Sequence, residues 1–216
     1  MTAHWLVKAE PLPRIVKGVD VSFSVDKFAH AKVSSWEGVR NYQARGFLRD
    51  QMKPGHPVLF YHSSCPLPGI AALAEVCSEG YPDHNAWDPK HPYYDPKSSK
   101  DEPRWYMVDV RFCKKVDHFV PLALLQHISS SSLTKEQRAN INYLTDKHIE
   151  AIKSMPLLHR SRLSVQPVDK TAFEAICLLG QHGGFDAWPG KWSTQATRPA
   201  EKPPAAALRR AKRRRT

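Results

Sequence analysis

The sequence predicts an α+β fold, a small and partly closed β-barrel with flanking helices. Three observations predict it. Apolar, β-rich runs at 4–9, 58–63, 70–77 and 105–112 are not regularly interleaved with helices, which disfavours a doubly wound parallel sheet. Helical patterns gather late in the chain, behind capping signatures. A hydrophobic share of 41% in 216 residues is enough to bury one real core.

The first strand is His4-Trp5-Leu6-Val7-Lys8-Ala9, closed by Glu10-Pro11. Residues 26–31 suit a helical turn or two. From Asn41 to Met52, Tyr42, Arg45 and Arg49 recur at helix spacing, and Pro54-Gly55 ends the run. Val58 to Ser63 is strand-like, residues 66–69 read as a turn, and Ile70 to Cys77 reads as a buried strand. The irregular stretch from Tyr81 to Pro103 holds five prolines. It is too long for a neutral connector and reads as a functional or packed loop. Alternation from Trp105 to Phe112 gives a half-exposed strand. Phe119-Val120-Pro121-Leu122 opens a short helix to about His127, and a flexible serine run follows over 129–132. Thr134 and Gln137 form a capping box whose helix extends to about Lys153, with Ile141, Leu144, His148 and Ile152 along one side. Arg162 to Pro167 is extended. Thr171 and Glu174 match a second box before a last helix, which Gly183-Gly184 closes. The folded domain is therefore expected at 1–182, and a flexible basic tail at 183–216.

Charge separates the same two parts. The net charge is +11, and from Arg198 onward eight basic residues face Glu201 alone. Most of the excess is in this appendage, and the body is only mildly basic. Arg209, Arg210, Lys212, Arg213, Arg214 and Arg215 have the composition of a nuclear localisation signal, which implies the nuclear import machinery as a partner and the nucleus as the compartment. The same cluster would touch phosphates without reading sequence. A mean hydropathy of -0.51 and the lack of a long apolar run argue against a membrane span, and the first residues do not resemble a signal peptide. Cys65, Cys77, Cys113 and Cys177 are far apart with no CxxC pair, as expected of buried or half-buried thiols in a reducing compartment. No long heptad pattern is present, so a monomer is expected.

Catalytic signatures are missing from the sequence: no GxSxG elbow, Walker loop, dinucleotide fingerprint or HExxH. Asp83, His84, Asp88, His91 and Asp95 are the nearest approach to a metal set. They interleave with prolines and include no cysteine, so ordinary turn residues are expected, with no metal and no cofactor. His62 and Ser63 are adjacent on a strand and point to opposite faces, which is poor geometry for an activated hydroxyl.

The run Trp36-Glu37-Gly38-Val39-Arg40-Asn41-Tyr42-Gln43-Ala44-Arg45 resembles the EVE domain family, within it the eukaryotic thymocyte nuclear protein type. The resemblance continues through Trp5 to Pro11, Phe60 to Ser63, Pro68 to Ala71, Tyr81-Pro82-Asp83, Tyr94-Asp95-Pro96, Trp105 with Val108-Asp109-Val110, and Arg162 to Pro167. It covers about residues 4–180, in several motifs in the right order. This chain departs from the family at Gly46 and Ser64, where Asn is common, near His56, where an acid is common, and at Ala72, where Gly is common. The resemblance implies a PUA-like fold and a reader of modified cytosine in DNA, such as 5-methylcytosine and its oxidised forms; relatives in the superfamily read modified RNA. Reading a modified base requires that it leave the stack. On that expectation Trp36, Tyr61 and Trp105 supply aromatic faces, and Asn41, His62, Ser63 and Ser64 read the base edge. Lys8, Arg40 and Arg45 hold phosphates, and Arg162 with Ser164 completes the rim. Alternative roles stay open at this level: core packing for the aromatics, a helix cap for Asn41, an exposed helix face for Arg40 and Arg45, an ion pair for Arg162. So do modified-RNA binding, a nucleic-acid-processing enzyme and a protein-interaction scaffold.

Overall fold

The structure, a computed structural model, describes residues 2–130, 133–160 and 162–190. Its centre is a mixed six-stranded sheet in the order β10-β1-β5-β6-β9-β4, built from β1 (His4–Ala9), β4 (Val33–Ser35), β5 (Pro57–His62), β6 (Gly69–Val76), β9 (Asp109–Pro121) and β10 (Val165–Val168). β1 and β5 pair in parallel, with Val7 opposite Phe60; the other pairings are antiparallel. Two small two-stranded sheets stand apart: the hairpin of β2 (Ile15–Val16) with β3 (Val19–Asp20), and β7 (Tyr81–Pro82) with β8 (Tyr106–Met107), which closes the long loop between them.

The sheet curls into a half-barrel. Its register shifts between Phe60 and Tyr61, between Ile70 and Ala72, and between Leu73 and Ala74. Each irregularity adds local twist and bend. Alternation then sends side chains to two apolar cores. Leu6, Leu59, Tyr61, Ile70 and Val120 face helices α3 (Leu122–Ser130), α5 (Asp146–Lys153), the short α6 (Pro156–His159) and α7 (Lys170–His182). Trp5, Val7, Val58, Phe60 and Val110 face the other way, with Phe28 of α1 (Val25–Ala31), Trp36, and Ala44 of α2 (Tyr42–Gly46). Both faces are covered, so the strands read as apolar runs and not as clean alternation.

Four expectations change. The helix from Thr134 is two helices, α4 (Lys135–Asn140) and α5, each with its own capping box; Thr145 and His148 form the second. Ile141 and Leu144 are buried in the turn between them, so the apolar spacing is satisfied without a continuous helix. Phe119 to Pro121 end β9, and α3 starts at Leu122. α7 is capped by Asp169, which accepts from the Thr171 and Ala172 amides, and this puts Thr171 inside the helix. The folded body also passes the expected boundary at 182: Phe185 and Trp188 are 2% and 4% exposed, within the helix-side core. Gly183 and Gly184, both at positive φ, turn the chain back to make that packing possible. Among the described residues no helix is long and apolar enough to cross a membrane. Cys113 is exposed and the other three thiols are half-buried. The basic run 209–215 lies outside the described residues.

Candidate nucleic-acid interface

A cavity of about 950 Å³ opens beside the C-terminal end of β1. Four segments wall it. The chain leaving β1 and the β2–β3 hairpin form one side, with Lys8, Glu10, Arg14 and Val19. Residues 34–40, the end of β4 and the chain that follows it, form the floor. Residues 88–93 of the long loop stand opposite, and Ser63, Ser64, Arg162 and Ser164 complete the mouth. The volume is in the range of small-ligand sites.

The floor comes from the Trp36 to Arg40 run. The Trp36 amide donates to the Val108 carbonyl at 2.7 Å, which pins the segment to the sheet. Its indole is 7% exposed and meets Phe60 and Phe23 edge to face, so one sliver of a core tryptophan lines the cavity. Gly38 follows at φ +74, where a Cβ would lie 2.5 Å from the Tyr93 ring. Glycine is required there on both counts, and it lets Tyr93 close over the floor. Glu37 lines the cavity between them. Asn85 donates to one of its oxygens, and His91 Nε2 is 3.5 Å from the other. Burial pushes the Glu37 carboxyl above its ordinary range.

Arg40 is tied into the same frame. Nη1 donates to the buried Asp83 carboxylate at 2.7 Å, and Nε and Nη2 donate to the Tyr93 carbonyl. The other oxygen of Asp83, Oδ1, is buried without a partner among the described residues. Lys8, on the opposite wall, is half-buried, and burial pushes its ammonium down to about 8. It lies 5.7 Å from the Tyr61 ring centre.

Of the twelve pocket and rim residues named from sequence, the cavity gathers Trp36, Ser63, Ser64, Lys8, Arg40, Arg162 and Ser164. Ser64 has φ +53, a conformation that Asn adopts at lower cost than most residues. Five others lie off its walls. Asn41 caps α2, accepting from the Ala44 amide at 3.0 Å. Tyr61 is 3% exposed on the helix side of the sheet, because strand alternation gives the cavity side to Phe60. His62 Nε2 accepts from the Val25 amide at 3.0 Å and fixes the start of α1. Trp105 donates to Asp95 at 2.6 Å, packs on Tyr42 and braces the long loop. Arg45 stacks on Tyr42 and donates to the Arg104 carbonyl. Phe23, Glu37 and Tyr93 line the cavity without having been named from sequence. Glu37 stands inside the most recognisable run, where its charge was the available signal; Tyr93 lies in a loop with no periodicity to mark it.

His62 and Ser63 do not form a reacting pair here. Ser63 Oγ donates to the Ala9 carbonyl while His62 serves α1. Asp83, Asp88 and Asp95 are spent on Arg40 and on loop amides, and among the described residues no group of three or more His, Cys, Asp or Glu is placed to hold a metal ion.

A family model described as EVE domain matches residues 3–179. The chain belongs to the EVE domain family. It is 42% identical over 181 residues to human thymocyte nuclear protein 1, covering 83% of this chain and 74% of that protein. The fold superposes on the human THYN1 protein, solved in complex with DNA containing 5-methylcytosine, with a TM-score of 0.70 and 41% identity over 83% of this chain and 98% of that one. A Pseudomonas syringae protein gives a TM-score of 0.64 at 33% identity, over 82% of this chain and 99% of that one. The EVE half-barrel is thus shared between eukaryotic and bacterial relatives.

Proposed function

We propose that this EVE protein reads modified cytosine in DNA, taking an extruded base into the cavity and performing no chemistry on it. The observation that carries the reading is the cavity itself, in a relative of a protein solved with methylated DNA: a floor with aromatic edges and the Glu37 carboxylate, under a rim that holds Lys8, Arg14, Lys90 and Arg162. Unstacking costs a few kcal/mol, and contact with an aromatic side chain returns about 1–3 kcal/mol per base. Tyr93 is the main surface for that contact, with the exposed edge of Trp36 beneath it. Glu37 is the acceptor for the exocyclic amine of cytosine, a donor that thymine lacks. Lys8 and Arg162 meet flanking phosphates, with Ser63, Ser64 and Ser164 as polar neighbours. The basic run from Arg209 to Arg215 carries the protein to the nucleus through the import machinery, and the body acts as a monomer.

Matched oligonucleotides with unmodified, methylated or hydroxymethylated cytosine, as DNA and as RNA, test this with the full chain at fixed physiological salt. A preference of about tenfold, worth ~1.4 kcal/mol, for one modified cytosine in DNA is expected. The same preference in RNA alone would move the reading to modified RNA. Equal binding throughout would leave only nonspecific contact.

A further inference from the structure

The β2–β3 hairpin, beside the cavity, exposes apolar side chains to solvent. Leu12, Ile15 and Val19 are 49%, 66% and 48% exposed, and they account for most of the strongly exposed large hydrophobics among the described residues. All three lie on or just before the β2–β3 hairpin. The register pairs Ile15 with Asp20 and Val16 with Val19, so Ile15 and Val19 project from opposite faces of the ribbon, Val19 among the cavity-lining residues and Ile15 outward beside them.

The hairpin is rigid. A two-stranded ribbon of this length is marginal alone, yet this one is pinned on several sides. Lys17 and Gly18 turn it, both at positive φ, as in the tight turns that match strand twist. The Val21 amide donates to the Arg14 carbonyl and the Phe23 amide to the Glu10 carbonyl. Asp20 accepts from the Arg14 and Ser22 amides. At the tip, Lys17 Nζ donates to the His91 carbonyl at 3.2 Å, bridging to the far wall of the cavity. The projecting apolar groups are therefore held in place, and Val19 itself lines the cavity.

The charge around them suits a nucleic acid. Arg14, Lys17, Lys90 and Arg162 are exposed around the same mouth. The hairpin's acids are met locally: Glu10 pairs with Arg14 at 2.8 Å and Asp20 with Lys27 at 3.2 Å. Apolar side chains beside a base cavity, flanked by cations, match the way duplexes are opened, where an apolar group takes the space between unstacked bases.

We propose that the β2–β3 hairpin is a wedge that enters a DNA duplex, with Ile15 filling the gap left by the nucleotide that turns into the cavity. The inference rests on the proposed reading of the cavity and adds its substrate form: paired DNA, opened by the protein.

The full chain and Ile15→Ser are compared by fluorescence anisotropy on a methylated duplex and on its methylated single strand, with 2-aminopurine beside the modified cytosine to report unstacking. Ile15 is exposed, so the variant keeps its fold. The expected result is a loss of about tenfold or more on the duplex, less than about twofold on the single strand, and no 2-aminopurine brightening on the variant's duplex. A duplex affinity within about twofold of wild type, or equal losses on both forms, overturns the wedge while methyl preference stands. Loss of methyl preference in the wild-type chain on both forms overturns the cavity reading, and the wedge with it.

Discussion

At the scale of single residues, Lys8 and Arg40 show how differently two cavity cations behave. Lys8 titrates near pH 8 because burial disfavours its charge. A DNA phosphate beside it favours the ammonium, so affinity is full below about pH 8 and falls as pH rises through that value. Measured between pH 6.5 and 9.5, wild type should lose affinity and Lys8→Arg should hold it, since a guanidinium stays charged throughout. Stability without DNA runs the opposite way. The unfolded chain keeps this proton up to about the ordinary 10.5, so the folded state gains from pH 8 to 10.5. Arg40 is a structural partner first. Its guanidinium neutralises an Asp83 side chain with no exposure at all, and breaking a buried pair costs about 3–5 kcal/mol. Urea unfolding of Arg40→Ala should show a loss of that order; a loss under about 1 kcal/mol would mean that the Gly38 amide, which donates to the same Asp83 oxygen at 3.0 Å, suffices for it. The sequence made Arg40 legible as a cavity residue but not as an ion pair, because Asp83 lies 43 positions away. Tyr61 is illegible for a related reason. Its face depends on a strand register that no local pattern reports.

Whole elements were legible where they carried a local signature and illegible where tertiary packing replaced one. β1, β5 and β6 came through within a residue or two because β-rich runs ended at proline or glycine. The break between α4 and α5 did not, since Ile141 and Leu144 kept helical spacing while sitting in a turn. The start of α7 offers a clean comparison. The sequence pattern puts the cap at Thr171, and the hydrogen bonds place it at Asp169 instead. Asp169→Ala should therefore lower stability by about 1 kcal/mol, the usual worth of an N-cap. Thr171→Ala should change it by less than about 0.5 kcal/mol, as at a half-buried surface position whose side chain does not cap the helix. Urea midpoints at constant slope separate the two, and reversed magnitudes would return the cap to Thr171. α7 packs on β9 and α5, so a frayed first turn would be felt across the helix-side core.

For the whole molecule, the question is where folding ends and charge begins. The late glycine pair looks like a terminus in sequence, yet Phe185 and Trp188 complete the core beyond it. An aromatic removed from a core costs about 3–5 kcal/mol, and a domain has about 5–15 kcal/mol in all. A chain ending at 182 should therefore be largely unfolded or melt far lower, while a chain ending at 197 should melt with the full protein. The second truncation also removes eight basic residues against one acid, most of the net +11. For every DNA phosphate that the shortened chain no longer neutralises, the dependence of log affinity on log salt becomes shallower by about 0.9. Binding to unmodified DNA should consequently weaken with a slope shallower by several units. The ratio between methylated and unmodified DNA should stay within about twofold, because the cavity and not the tail supplies the discrimination. A truncated chain that kept the original slope would assign the phosphate contacts to the body instead, to Lys8, Arg14, Lys90 and Arg162 around the cavity mouth. A collapse of the methyl ratio on truncation would mean that base selection depends on charge the folded body does not carry.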